Sequence, residues 1–269
     1  KLGLVGSEMC IRDRLNSIYD LWVKNAVAIF PNQKLTHDEY NDFAMQFGSF
    51  GDEPFLTPMK SQIHIVELRR KATEEATHFG GSWHSDWSFQ PSPPSATMLH
   101  SKIVPPLGGD TLFSNSALAY DEMSNEMKDK IYNLNGIHSA KLPYADNGFY
   151  ALENKKRTMR IKSSKSANKQ HLHPLVREHL NTQRKSLFIN PVYTVGVEGM
   201  NDMEAFEFLS ELFEHMTQDK YIYRHQWDKD MLIMWDNRSV MHMAEGGYDG
   251  YERLMHRITI AGETPIKSI

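Results

Sequence analysis

Apolar residues recur along the chain at two spacings, and the strand spacing dominates. Residues 15–23 carry apolar groups at helical intervals, and the apolar run at 26–30 predicts a strand that Pro31 stops, because proline lacks a ladder donor. Thr36 with Glu39 three residues on predicts a capping box, and Gly48 is expected to end the helix it opens. Residues 62–68 alternate as a strand does, and 96–104 form another, closed by Pro105-Pro106. Leu107-Gly108-Gly109 predicts a turn into a short strand at 110–113. Ser116 is placed to cap a helix running to 133, and Asn201-Asp202 to cap a second. In that second helix Phe206, Leu209, Leu212 and Phe213 share a stripe expected to be core. Further strands are expected at 136–140, 186–193, 221–227, 231–235 and 253–262. Many short strands with turns between them and a few helices outside predict a mainly β (α+β) architecture, a sandwich or barrel such as a jelly roll.

Composition narrows the class. A chain of 269 residues with 40% hydrophobic content can bury one large core, and a single domain over 15–269 is expected. A formal net charge of -4 argues against nucleic acid as a partner. No apolar run approaches the roughly 20 residues that span a bilayer, so no membrane partner is expected. The single cysteine excludes an intrachain disulfide and any Cys-rich zinc or iron–sulfur site. These features predict a cytoplasmic protein acting on small molecules, and they leave homo-oligomerisation open. Residues 1–14 look like the translation of a sequencing-library adaptor and are expected to be a non-native leader, Cys10 included. Residues 145–172 form a polar stretch in which Lys155, Lys156, Arg157, Arg160, Lys162, Lys165 and Lys169 crowd together. It reads as a solvated loop or as a lid over a site that handles anions.

The chemistry centres on Trp83-His84-Ser85-Asp86-Trp87. A His and an Asp two apart in an extended segment point the same way, offering a nitrogen and an oxygen side by side. One further donor would complete a two-His, one-carboxylate face with open positions opposite, the arrangement suited to non-haem Fe(II) and O2. His242 is the candidate, because it follows the turn Trp235-Asp236-Asn237-Arg238 at the start of a returning strand. His37, His171 and His179 sit in polar contexts and are expected at the surface. In the strand 253–262, alternation puts Arg253, Met255 and Arg257 on one face. Two arginines there are costly to bury unless an anion meets them. That anion could be a dicarboxylate cosubstrate or internal Asp and Glu residues.

Taken together, Trp83-His84-Ser85-Asp86, Gly108-Gly109-Asp110-Thr111, Trp235-Asp236-Asn237-Arg238 and the stretch from His242 through Arg253 to Arg257 resemble the TauD/TfdA family of Fe(II)/2-oxoglutarate-dependent dioxygenases. The likeness runs over nearly the whole chain, through His173-Pro174-Leu175-Val176-Arg177 and Leu187-Phe188-Ile189-Asn190. It implies a cupin-like, double-stranded β-helix core, with Fe(II), 2-oxoglutarate and O2 as cofactor and cosubstrates. By position, His84, Asp86 and His242 would be the catalytic metal ligands. Thr111 and Arg253 would hold the distal carboxylate of 2-oxoglutarate, and Arg257 would lie between cosubstrate and an anionic substrate. Glu53 and Gly80 stand where the taurine enzymes use His and Asn, which disfavours taurine within a substrate class expected to be anionic or zwitterionic. Trp87, Phe89 and Tyr193 are expected to line the substrate pocket, plain core being the alternative. A zinc hydrolase using the same three ligands and a non-catalytic metabolite-binding jelly roll are the rival readings.

Overall fold

A computed structural model describes residues 8–153 and 155–267. The expected leader lies outside the described residues over 1–7, and so does Asn154 of the expected lid. In chain order the elements begin with helix α1 (Glu8–Asn25), strand β1 (Val27–Phe30), α2 (His37–Met45), β2 (Val66–Arg70), β3 (Ala96–Ile103) and β4 (Thr111–Asn115). Short pieces follow: α3 (Ser116–Asp121), α4 (Asn125–Ile131), β5 (Asn135–Ser139), α5 (Lys141–Tyr144) and α6 (Phe149–Leu152). The chain then forms β6 (Gln170–Pro174), β7 (Val176–Glu178), β8 (Lys185–Leu187) and β9 (Thr194–Val197). It closes with α7 (Asp202–Met216), β10 (Ile222–His225), β11 (Leu232–Asp236), β12 (Val240–Ala244), β13 (Arg253–Ile260) and β14 (Ile266–Lys267).

Among the described residues all strand pairs are antiparallel, giving a mainly β protein with helices outside. The largest sheet has the order β1-β11-β3-β13-β2, and a three-stranded sheet has the order β10-β4-β12. One face of the large sheet presents Met98, Met234, Ile258 and Ile260 to Trp22 of α1 and Tyr40 of α2. The other presents Leu99, Ile233, Trp235 and Met255 to Phe113 and Val240 of the smaller sheet. The expected alternation in β13 therefore holds, with Met255 facing the second sheet and Ile258 facing the helices. Two smaller sheets, β14-β7-β8 and β6-β5-β9, complete the fold.

Several local expectations shift. The Thr36/Glu39 capping box forms, but α2 closes at Gln46, whose N–H bonds back to Phe43 and Ala44 two residues short of Gly48. The first helix crosses residue 14 without a break, starting at Glu8. Residues 62–65 turn instead of extending, with the Ile65 N–H donating to the Gln62 carbonyl, so β2 starts at Val66. The helix expected from Ser116 splits in two, because Ser124 accepts from the Met127 N–H and caps a second start; the first cap is Asn115, not Ser116. Residues 186–193 extend only as far as Leu187. In α7, capped by Asn201, Leu209 and Leu212 are buried while Phe206 is 70% exposed. The buried face instead takes Phe208 and Met216, a stripe that a lone sequence does not separate from its neighbour.

Candidate active site

The site forms where the segment before β3 meets β12. His84 and His242 exchange backbone hydrogen bonds, N–H to carbonyl at 3.0 and 2.8 Å, fixing the two side chains on one wall. Ligand atoms of His84, Asp86 and His242 all lie within 4.8 Å of one another, and all three residues are buried. His84 Nε2 is 3.7 Å from Asp86 Oδ1, and His242 Nε2 is 3.9 Å from Asp86 Oδ2. The His84 Nδ1 sits 2.7 Å from the Ser82 carbonyl, which makes that nitrogen the protonated one and leaves Nε2 a lone pair.

Electrostatics suit a metal. Burial pushes His84 down, and it takes His242 to about 3, with His84 nearby adding to the effect; both rings are neutral donors at neutral pH. Burial alone would raise the Asp86 carboxyl, but the Arg257 guanidinium, helped by the Thr97 hydrogen bond, outweighs it and holds the carboxyl well below the usual carboxylate range. Two neutral imidazoles and a carboxylate in a buried cluster fit a divalent first-row ion. Asp86 is also anchored from behind. Thr97 donates to its Oδ2 at 2.6 Å, Asn237 donates to Thr97 at 2.9 Å, and the Trp235 indole donates to Asn237 at 3.0 Å.

A cavity opens beside the three donors and is lined by Thr111, Leu99, Arg253, Arg257 and Tyr248, among others. Arg253 is buried without a carboxylate partner among the described residues; its Nε has no acceptor and its Nη2 reaches only the Gly109 carbonyl at 3.4 Å. Thr111 accepts from the Trp227 indole at 3.0 Å, so its own proton is free to point elsewhere. The Gly108-Gly109 turn makes this corner possible. Both residues have positive φ, and a Cβ on Gly108 would lie 2.6 Å from Gly247 backbone while one on Gly109 would press on Arg253 Nε at 3.3 Å.

Arg257 is engaged differently. Its Nη1 donates to both Glu53 carboxylate oxygens at 2.7 and 2.6 Å, and its Nη2 lies 3.1 Å from Asp86 Oδ1. Internal carboxylates therefore meet this arginine, one of the two outcomes open from sequence. Glu53 also accepts from Thr259 at 3.1 Å and from the Trp87 indole at 3.0 Å. Burial raises the Glu53 carboxyl, and Arg257 opposes that rise.

A second cavity meets the first at Phe79, Gly80 and His84, and Tyr193, Tyr144 and Tyr150 line it. Gly80 and Tyr193 thus sit on cavity walls. Trp87 and Phe89 do not: they pack with Phe55 and Tyr144 in a buried aromatic cluster, Trp87 with φ 45 and its ring 5.1 Å from the Arg257 guanidinium. Glu53 lies behind Arg257, off both walls. Thr97 and Phe79 belong to the site but carried no motif. His37 and His171 are half-buried, whereas His179 is fully buried and donates to Asp236 at 2.9 Å, correcting its expected surface place. Asp236 also takes two bonds from the Arg238 guanidinium, at 2.8 and 2.9 Å, and one from the Arg238 main-chain N–H at 2.9 Å, so this part of the turn motif braces the strand end.

Residues 7–259 match the family described as Taurine catabolism dioxygenase TauD, TfdA family. The 2,4-dichlorophenoxyacetate dioxygenase of Cupriavidus pinatubonensis, α-ketoglutarate-dependent, is 33% identical over 85% of this chain and 82% of its own length. An α-ketoglutarate-dependent sulfonate dioxygenase of Saccharomyces cerevisiae is 29% identical, over 100% of this chain and 67% of its own. The crystal structure of a taurine dioxygenase from Burkholderia xenovorans superposes with a TM-score of 0.78 at 25% identity, over 95% of this chain and 82% of that one.

Proposed function

The chain belongs to the TauD/TfdA dioxygenase family, and from that premise we propose that it is an Fe(II)- and 2-oxoglutarate-dependent dioxygenase. It hydroxylates a small organic substrate with O2 and releases succinate and CO2. The observation that carries this reading is a buried His-Asp-His cluster sharing one cavity with an arginine that has no counter-ion among the described residues. When bound, Fe(II) supplies the redox and Lewis-acid chemistry.

This chain's residues do the rest. His84, Asp86 and His242 would hold the metal, with the Ser82 carbonyl fixing the His84 tautomer and Thr97 fixing the Asp86 oxygen. Arg253 offers paired donors to the distal carboxylate of 2-oxoglutarate, and the Thr111 hydroxyl supplies another. Phe79 and Tyr193 wall the approach to His84 and exclude water. We read the facing sheets as the double-stranded β-helix, or jelly roll, of a single domain. Residues 145–172 we read as a lid: Arg157 and Met159 reach the cavity wall, while the Thr158 N–H is tied to Glu74 and the Lys162 N–H to the Phe55 carbonyl. In size the substrate is comparable to the sulfonates and aryloxy acids named for the relatives, with taurine disfavoured by Glu53 and Gly80. A zinc hydrolase would use the same donors but leave Arg253 and Thr111 without a role.

Anaerobic titration of the Fe(II) protein with 2-oxoglutarate tests the reading through the weak visible charge-transfer band of the chelate. The band is expected in wild type, and R253M should weaken 2-oxoglutarate binding by roughly 30-fold or more. A folded, iron-loaded protein that shows no band would exclude this assignment.

A further inference from the structure

The charge of the primary substrate can be read from how the cavity arginines are paired, given the dioxygenase reading above. Arg70 meets Glu74 at 3.7 Å and Asp249 at 2.8 Å, Arg69 meets Glu252 at 3.3 Å, and Arg157 meets Glu153 at 2.9 Å. Arg257 meets both oxygens of Glu53 and one of Asp86. Among the described arginines on the cavity wall, only Arg253 lacks a carboxylate. The second cavity, which leads to His84, has no Lys, Arg, Asp or Glu among the described residues of its wall; aromatic rings and prolines predominate, including Tyr144, Phe149, Tyr150 and Pro191.

Counting formal charges gives a closed site. A divalent ion with Asp86 leaves one positive charge, which the keto-acid carboxylate of 2-oxoglutarate cancels. The distal carboxylate cancels Arg253. Glu53 cancels Arg257 and is held firmly in place, since Thr259 and the Trp87 indole bond it and its side chain is only 7% exposed. An anionic substrate would then enter a desolvated chamber with no cation left to receive it.

We propose that Glu53 is a specificity-determining residue that neutralises Arg257 internally, so that the enzyme takes a substrate of no net charge with an aromatic or apolar body. Such a substrate is uncharged, and it reaches the metal through the aromatic cavity. An Arg257 free of Glu53 would instead offer its guanidinium to an incoming anion.

The test is calorimetric and needs no turnover. Protein loaded with Mn(II) and N-oxalylglycine is titrated with phenoxyacetate and with phenoxyacetamide, a pair of nearly equal shape differing by one charge. Wild type is expected to bind the amide at least about ten-fold more tightly, and E53Q to reverse that order. Equal or tighter binding of the acid by wild type overturns the proposal, as does an unchanged preference in a folded E53Q. Should E53Q fail to fold by circular dichroism, the wild-type order alone decides. N-oxalylglycine binding is measured first: its absence counts against the dioxygenase reading, whereas a preference for the acid with N-oxalylglycine bound refutes only the charge assignment.

Discussion

Thr97 holds one oxygen of Asp86 at 2.6 Å and is itself held by Asn237. Thr97→Val keeps the shape and removes the donor. Metal affinity measured by competition with a chromophoric chelator should fall by roughly 10- to 100-fold, with the fold retained. The residues proposed to chelate and clamp were legible because each sat in a motif of unusual polar spacing: His84 with Asp86, His242 after a turn, Thr111 after two glycines, Arg253 on an apolar strand. Thr97 was not legible, since a threonine in a strand is an ordinary β-former until its partner is known. His179 escaped for a related reason. Polar neighbours in sequence say nothing of the buried Asp236 that meets it across the fold.

Elements were easier to recognise than to bound. The capping box at Thr36 and the helix cap at Asn201 formed as read, because a cap is decided within four residues. The single helix expected from Ser116 became two, since Ser124 competes as a cap and neither window is long enough to overrule it. In α7, Phe206→Ala should change stability by no more than about 0.5 kcal/mol, whereas Leu212→Ala, from a side chain 1% exposed, should cost about 2–5 kcal/mol in chemical denaturation. The turn before β4 is less forgiving. Gly108→Ala puts a methyl 2.6 Å from Gly247 backbone at a positive φ, so the turn must shift and carry Thr111 with it. A strain cost of about 1–3 kcal/mol is expected in the melting curve, together with weaker 2-oxoglutarate binding in calorimetry.

Across the whole molecule, burial keeps several histidines neutral. It takes His100, His173 and His225 to about 4 and His256 to about 3. Unfolded, each would titrate near roughly 6.5. Between those values the unfolded chain binds protons that the folded chain refuses, so stability is full above about pH 6.5 and declines steadily as pH falls toward 4. Urea midpoints measured across that window should drop monotonically, and a flat profile would contradict the burial of these rings. The mainly β layout was readable from alternation and turns, whereas the pairing of distant strands was not, because it depends on which faces find apolar partners. The reciprocal main-chain bonds between His84 and His242 reach further than local order. They set the donors in place, so on the proposed reading the protein is a ready chelator, and two imidazoles with a carboxylate hold nickel, copper or zinc more tightly than ferrous iron. Protein eluted from a nickel resin is therefore expected to emerge mismetallated and silent until it is stripped and reconstituted under argon.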